Sequence, residues 1–191
     1  MRLLEIKAVI RRKRYNYKPH FPQHVAENVL DRAFDVDYEP MQVLLTDITE
    51  FKYGNNSKAY LSAILDYGAN KIVAYKLSDR NNNALVNDTI NQINDLILPG
   101  ETLLHSDRGF QYTSNDFKKY VEKHQIIQSM SRVGRCIDNG PMENFWGIIK
   151  VEMYRLTTYE TFEELENDVK QYIEFYNTKR VTLKMGLSIP A

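Results

Sequence analysis

The stretch that decides the fold begins with LLHSDRGFQYTS (residues 103–114) and ends with SRVGRCIDNGPMENFWGIIK (residues 131–150). The apolar start predicts a buried strand, and Asp107 follows directly at its end. Pro141 favours the first turn of a helix, which would carry Glu143 and Lys150 on nearly the same face, about 10 Å apart. One strand and one helix therefore each present an acidic side chain.

Working outward, three apolar runs predict an antiparallel meander: MQVLLTDI from residue 41, a second strand from about residue 58 and a third from about residue 71. Helices are predicted after Asn81–Asn83, after Thr113 or Ser114, and after the capping box at Thr161. The strand at 103–106 follows a helix, so we expect a parallel crossover, and IIQSM (126–130) predicts a fifth strand. The pattern is that of one α/β domain, a mixed five-stranded sheet with helices on both faces.

A third acid, Asp47, is predicted at the end of the first strand. Alone, such an aspartate is more often a turn residue, but the context TDITEF favours a functional role. If the first and fourth strands are neighbours, Asp47 and Asp107 share one sheet edge, and Glu143 can reach them from the facing helix. Carboxylates are the hard ligands that Mg²⁺ prefers, so the three acids predict a divalent metal site acting on a phosphodiester.

The charge is unevenly distributed. Residues 1–20 contain seven basic residues and one acidic residue, so this arm carries +6 while the neutral total leaves −6 on the remainder. A basic arm on an acidic body suits DNA binding, although a solvated charged tail explains it equally well. The single cysteine excludes an internal disulfide, and the N-terminal sequence is unlike a secretory signal, so a cytoplasmic, nucleoid-associated protein is expected.

These motifs resemble bacterial insertion-sequence transposases of the family named for insertion sequence three. The resemblance runs in order through LLTDITEF, ILDYGANKIVAYKLS, LHSDRGFQYTS, IIQSMSRVGRCIDNGPMENFWGIIKVEMY and YIEFYNTKR. It implies a retroviral-integrase-type catalytic core on an RNase H-like fold, a metal-dependent polynucleotidyl transferase that cleaves and joins DNA. By this resemblance Asp47, Asp107 and Glu143 are the catalytic triad, which holds two Mg²⁺ or Mn²⁺ ions, and Lys150 contacts DNA.

The resemblance also implies a boundary and partners. Residues 1–22 are expected to be a basic arm, the remnant of a helix-turn-helix region and its linker, and residues 23–191 the catalytic core. Leu44 stands where the family usually has tryptophan. The expected partners are insertion-sequence ends, target DNA, further copies of the chain and a separate or fused helix-turn-helix protein. Further DNA contacts are expected from the arm and from the loop before the third helix, through Arg11, Arg12, Lys13, Arg14, Arg132 and Arg135.

Alternatives remain open at this stage. Because only the end of the recognition region is recognisable, the chain could be a truncated, non-catalytic fragment that binds DNA or transposase copies and inhibits transposition. A nuclease of RNA–DNA hybrids fits the fold but not the DNGPMENFWG segment.

Other polar and aromatic residues have simpler interpretations. We expect Asp138 to cap the third helix, Glu50 and Asp66 to face solvent or support the site, and His105 and His124 to be structural. Phe145 and Trp146 indicate core packing more than base stacking, and a solvated loop is as good an account of Arg132 and Arg135 as phosphate contact.

Overall fold

The computed structural model describes Pro22 and residues 24–132 and 136–181. Within these residues five strands form one sheet: β1 (Val43–Tyr53), β2 (Ser57–Asp66), β3 (Lys71–Ser78), β4 (Leu103–Ser106) and β5 (Ile127–Met130). The α-helices of the described residues are α1 (Asn83–Ile90), α2 (Asn115–Lys123), α3 (Gly140–Glu152) and α4 (Phe162–Thr178). Short 3₁₀ segments lie at Asn91–Leu96, Cys136–Asn139 and Tyr154–Leu156.

The sheet has the strand order β3-β2-β1-β4-β5. Strands β1, β2 and β3 form the predicted antiparallel meander, while β4 lies parallel to β1 and β5 parallel to β4. The prediction that the first and fourth strands are neighbours is therefore confirmed. The mixed five-stranded sheet is also confirmed.

One strand boundary was predicted wrongly. We expected β1 to end near Asp47, but it continues to Tyr53 because its antiparallel pairing with β2 extends to Tyr53 opposite Ser57. Its parallel pairing with β4 stops much earlier, at Leu45 opposite His105. Asp47 therefore lies within β1, at the point where β1 keeps only one strand neighbour.

Helices cover both faces of the sheet, as predicted. On one face, α3 and α4 pack through residues such as Phe145 and Ile173 against Leu45 and the neighbouring strands. On the other face, α1 and α2 pack against Leu44 and Leu104. Successive residues of a strand point to opposite faces, so both sides of β1 are buried. The double burial explains why this stretch reads as a nearly continuous apolar run.

The predicted helix starts are present. The side chains of Asn82 and Ser114 accept hydrogen bonds from the backbone of α1 and α2, and Thr161 forms the capping box of α4 with Glu164. Pro141 lies in the first turn of α3. One helix is shorter than expected, because α1 changes to a 3₁₀ segment at residue 91, although Ile93 remains buried.

The sequence of residues 24–40 is compatible with a short helix or with irregular chain, and the structure shows no regular secondary structure there. The segment is held by specific contacts: the Leu30 N–H donates to Ser129 Oγ, and the Tyr67 hydroxyl donates to the Phe34 carbonyl. The sequence of residues 1–14 predicts the end of a helix, and these residues lie outside the described part of the chain. None of the helices in the described part of the chain has the length and apolar character of a membrane span.

Candidate active site

The parallel pairing of β1 with β4 brings Asp47 and Asp107 to the same level. Leu45 is opposite His105, and each acid lies two residues further along its own chain. Beyond that point β4 ends and the two chains separate, which leaves a cleft of about 470 Å³. Asp47 and Asp107 both line the cleft, together with Thr49, Tyr60, Asn81, Arg108, Phe110 and Gln111.

Asp47 is partly buried and accepts a side-chain hydrogen bond from the facing helix. The indole Nε1–H of Trp146 donates to Asp47 Oδ2 over 3.0 Å. Burial raises the pKa of Asp47 to about 6, and the charge of Asp107 is the next cause of the rise. The hydrogen bonds from Ile48 and Trp146 oppose this shift, and Glu143 adds the smallest contribution to it. Asp47 therefore carries a negative charge that the protein incompletely compensates.

Asp107 is held by the turn that follows β4. The backbone N–H of Gly109 donates to Asp107 Oδ1 over 2.7 Å. A Cβ atom at position 109 would lie 2.9 Å from that oxygen and 3.1 Å from Gln111 Oε1, so glycine permits the close approach. Although Asp107 is exposed as a residue, desolvation raises the pKa of its carboxyl, against the opposing effect of the Gly109 hydrogen bond.

Glu143 does not join the two aspartates in the same cleft. It is exposed in the first turn of α3 and lines a separate open depression with Asn144, Gly147 and Val151. It is near enough to raise the pKa of Asp47, but among residues 24–132 and 136–181 no three acidic, histidine or cysteine side chains lie close enough to hold a metal ion. Two of the three predicted ligands are therefore adjacent, and the third is nearby on the facing helix.

Lys150 lies two helical turns after Glu143, and its Nζ is 5.9 Å from the centre of the Phe51 ring. Desolvation lowers the pKa of Lys150, while the charges of Asp47 and Glu50 oppose this shift. The ammonium group is thus half-buried within electrostatic reach of Asp47. Glu50 itself is exposed and pairs with Lys58, as a solvent-facing residue should.

Sequence reasoning missed the role of Trp146. It was expected to pack in the core, and it is buried there beside Phe145, with ring centres 5.0 Å apart. Its indole N–H, however, also reaches Asp47. The available signal was its spacing, because Trp146 lies three residues after Glu143 and four before Lys150 on one face of the predicted helix.

Asp138 was predicted to cap α3, and that prediction is wrong. Its buried carboxylate instead binds the guanidinium groups of Arg32 and Arg132, and it also accepts hydrogen bonds from Asn28 and the Arg132 backbone. The hydrogen bond from the Arg132 side chain is the main cause that lowers the pKa of Asp138 well below its usual range. Asp138 therefore ties the irregular segment before β1 to the loop before α3.

The other predicted site residues have mixed outcomes. Arg132 pairs with both Asp138 and Asp31, so the phosphate contact predicted for it stays a prediction that competes with these ion pairs. Asp66 is buried rather than solvent-facing, and it accepts backbone hydrogen bonds from Met41, Gly68 and Ala69. Arg135 and the arm residues lie outside the described residues: Arg11, Arg12, Lys13 and Arg14.

His105 is structural, as expected. It is fully buried between Ser129 and Ser131, whose hydroxyls lie 2.9 and 3.0 Å from its two ring nitrogens. Desolvation lowers the pKa of His105 to about 4, so the ring is neutral near pH 7. The residue joins β4 to β5 and thereby supports the strand that leads into Asp107.

The chemistry of the two aspartates fits a divalent cation. Within the described residues neither carboxylate takes part in an ion pair, and each has one oxygen that accepts a hydrogen bond from Trp146 or Gly109. A bound cation would compensate the charges that burial and mutual repulsion now disfavour. Hard carboxylate oxygens are the ligands expected for Mg²⁺ or Mn²⁺.

Comparison with known proteins agrees with this geometry. The family described as integrase core domain matches residues 37–136, and a second family of the same description matches residues 143–190. The chain is 38% identical over 187 residues to a putative transposase for insertion sequence element IS150 from Escherichia coli, which covers 97% of this chain and 65% of that protein. It is 36% identical to a transposase-like protein from Haemophilus influenzae, over 98% of this chain and 87% of that protein.

Solved structures share the fold at low sequence identity. The catalytic core of HTLV-2 integrase, solved in complex with magnesium in a trimeric form, matches with a TM-score of 0.62 at 18% identity, over 80% of this chain and 96% of that chain. A chain of the simian T-cell lymphotropic virus intasome matches with a TM-score of 0.64 at 19% identity, over 83% of this chain and 53% of that one. The RNase H-like fold is therefore confirmed.

Proposed function

The chain belongs to the integrase core domain family of bacterial insertion-sequence transposases, and on that premise we propose that it is a transposase catalytic core that cleaves DNA strands and joins them. The observation that carries the proposal is the placement of Asp47 and Asp107 side by side at the open end of the β1–β4 pair. Two uncompensated carboxylates in a cleft are costly to a fold that does not use them.

In this proposal Asp47, Asp107 and Glu143 hold two Mg²⁺ or Mn²⁺ ions. Such ions stabilise the attacking and leaving oxygens of an in-line displacement at phosphorus. The HTLV-2 integrase core that shares this fold was solved with magnesium, which supports the choice of metal. Glu143 is exposed on the first turn of α3 and contributes to the raised pKa of Asp47, which supports its inclusion as the third ligand.

Basic side chains of this protein would bind the phosphates of the DNA. In this proposal Lys150 contacts a DNA phosphate near the two aspartates. Its half-buried position and its electrostatic interaction with Asp47 support this role, because a charge contact is stronger there than at an exposed lysine. The basic arm with Arg11, Arg12, Lys13 and Arg14, together with Arg135, would add contacts to the DNA backbone. Arg132 contributes less in this proposal, because Asp138 and Asp31 already bind its guanidinium group.

The proposed partners are insertion-sequence ends, target DNA and further copies of the chain, with a helix-turn-helix protein from the same element supplying end recognition. The chain spans 65% of the length of its Escherichia coli relative. The HTLV-2 integrase core, which shares this fold, was solved in a trimeric and a dimeric form, and this supports the proposal of an oligomer. The relatives are transposases, and they do not favour the inhibitory-fragment alternative.

Strand joining on a pre-nicked, branched oligonucleotide in manganese tests the proposal, because this substrate requires little end recognition. We expect joined product from the parent and at least a thousandfold less, about 4 kcal/mol, from Asp107→Asn and Glu143→Gln. The matched control is Asp95→Asn, an exposed acid on the 3₁₀ segment after α1, which should join DNA normally. A folded, DNA-binding parent that gives no product would replace the proposal with the inhibitory fragment.

A further inference from the structure

Trp146 makes a polar contact in addition to its packing in the core. Its indole Nε1–H donates to Asp47 Oδ2 over 3.0 Å, and the residue is only 6% exposed. An indole has a donor and no acceptor, so the bond can form in one direction only. The indole donor therefore fixes the position of Asp47 Oδ2.

The ring that carries this donor is itself held firmly. Trp146 lies in the core between β1 and α4, next to Phe145, whose ring in turn packs edge-on against Tyr176 at 4.9 Å. Two rotatable bonds and close packing leave the indole little freedom. Trp146 can therefore hold the Asp47 carboxylate in one orientation.

The same bond fixes α3 relative to β1. Trp146 lies between Glu143 and Lys150 on α3, so its contact with Asp47 sets how far this face of the helix stands from the strand. The partners that orient a metal ligand usually come from a neighbouring element, and their loss weakens metal binding about 10- to 100-fold. Trp146 has the position and the chemistry of such a partner.

We propose that Trp146 is a positioning residue, whose indole N–H orients the Asp47 carboxylate for divalent metal binding and sets the distance of α3 from β1. The inference rests on the proposed metal site. It predicts an effect on metal affinity that is separate from the contribution of Trp146 to packing.

Isothermal titration with Mg²⁺ alone, without DNA, provides the first test. We expect Trp146→Phe, which keeps an aromatic ring but removes the donor, to bind Mg²⁺ about tenfold more weakly. Trp146→His retains a ring N–H and should recover most of that loss. The matched control is Ile90→Val, a change at a buried position of α1 on the other face of the sheet, away from Trp146, and it should lower stability while leaving Mg²⁺ affinity unchanged.

The chain offers a second measurement that needs no folded Trp146 variant. Trp146 is the only tryptophan of the 191 residues, so the ¹⁵N-labelled protein gives one indole N–H resonance. Addition of Mg²⁺ should shift this resonance in the parent protein and leave it unmoved in Asp47→Ala.

The outcomes separate this inference from the proposed function. If the parent binds Mg²⁺ and Trp146→Phe binds it equally tightly, or if the indole resonance does not respond to saturating Mg²⁺, the inference is wrong while the metal site stands. If the parent does not bind Mg²⁺ at all, the proposed function fails, and the inference fails with it.

Discussion

Two aspartates near α3, Asp138 and Asp47, have opposite surroundings. Asp138 is fully buried, yet two guanidinium groups, an asparagine and a backbone N–H satisfy its carboxylate. Asp47 is more accessible, but it receives one indole hydrogen bond and faces the like charge of Asp107. The surroundings accordingly lower the pKa of Asp138 and raise the pKa of Asp47 to about 6.

In our proposal this difference distinguishes an acid that stabilises the fold, Asp138, from one that binds a metal ion, Asp47. A folded protein can compensate a buried charge with local donors, as it does at Asp138. Where it leaves two carboxylates close together without a cationic partner, an external cation is the natural complement. The contrast also predicts opposite responses to pH, because the two pKa shifts have opposite signs.

The largest expected effect is on stability at Asp138. Asp138→Ala should lower the free energy of unfolding by about 3 kcal/mol at pH 7, since it leaves Arg32 and Arg132 without their shared partner. The figure is at the low end for a buried pair because both arginine side chains are more than a third exposed. Urea unfolding measures it. The control Asp31→Ala removes the exposed acid paired with the same Arg132 and should cost less than about 0.5 kcal/mol.

At Asp47 we expect a substitution to stabilise the metal-free protein. The pKa is near 4 in the unfolded chain and about 6 in the folded one, so the folded state binds more protons and stability falls as pH rises from 4 to 6. A pKa shift of this size corresponds to a loss of at most about 3 kcal/mol of folding stability at pH 7. Asp47→Asn should recover about 1 to 2 kcal/mol of that loss.

Urea unfolding at pH 4 and pH 7 without metal checks this difference. The gain from Asp47→Asn should be present at pH 7 and absent at pH 4. An equal effect at both pH values would mean that the carboxylate charge is not the cause. Below about pH 4 the dependence of stability on pH should come from Asp138. Because its pKa is lowered in the folded protein, the stability that its carboxylate contributes is lost as pH falls below about 4.

Metal binding should offset the electrostatic cost of the charged Asp47 and Asp107 side chains. It should leave the contribution of Asp138 to stability unchanged. At a Mg²⁺ concentration ten times its dissociation constant, we expect the parent to gain about 1.4 kcal/mol of stability. Thermal unfolding with and without Mg²⁺ measures the gain, which Asp107→Asn should abolish and Asp31→Ala should retain. An unchanged melting temperature of the parent in millimolar Mg²⁺ or Mn²⁺ would contradict a metal site.

The smallest expected effect is on DNA binding, where Lys150 and Arg132 should differ. Lys150→Gln should weaken DNA binding and reduce the salt dependence of the binding constant by about one phosphate contact. Arg132→Gln should leave this salt dependence unchanged but lower the stability of the fold, because Arg132 forms an ion pair with the buried Asp138. Binding measured by fluorescence anisotropy at several salt concentrations decides between them. A reduced slope for Arg132→Gln would restore its predicted phosphate contact.

Much of the fold was predictable because its signals are local. Apolar runs fix the strands, and Asn82, Ser114 and Thr161 mark helix starts through bonds to residues three positions away. The end of β1 was misjudged because pairing with β2, rather than the apolar pattern, carries the strand past Asp47. Strand length depends on the partner strand, which a single run of residues does not reveal.

The sequence by itself determined which acids are candidates for the site and which elements carry them, because residue type and spacing are written in the chain. Tertiary structure decided what each acid meets. Asp138 finds Arg32 across 106 positions, and Asp47 finds Trp146 across 99. Such donors come from elements brought together only when the sheet and helices pack. For that physical reason, two acids that look alike in the sequence differ in charge compensation and in proposed role.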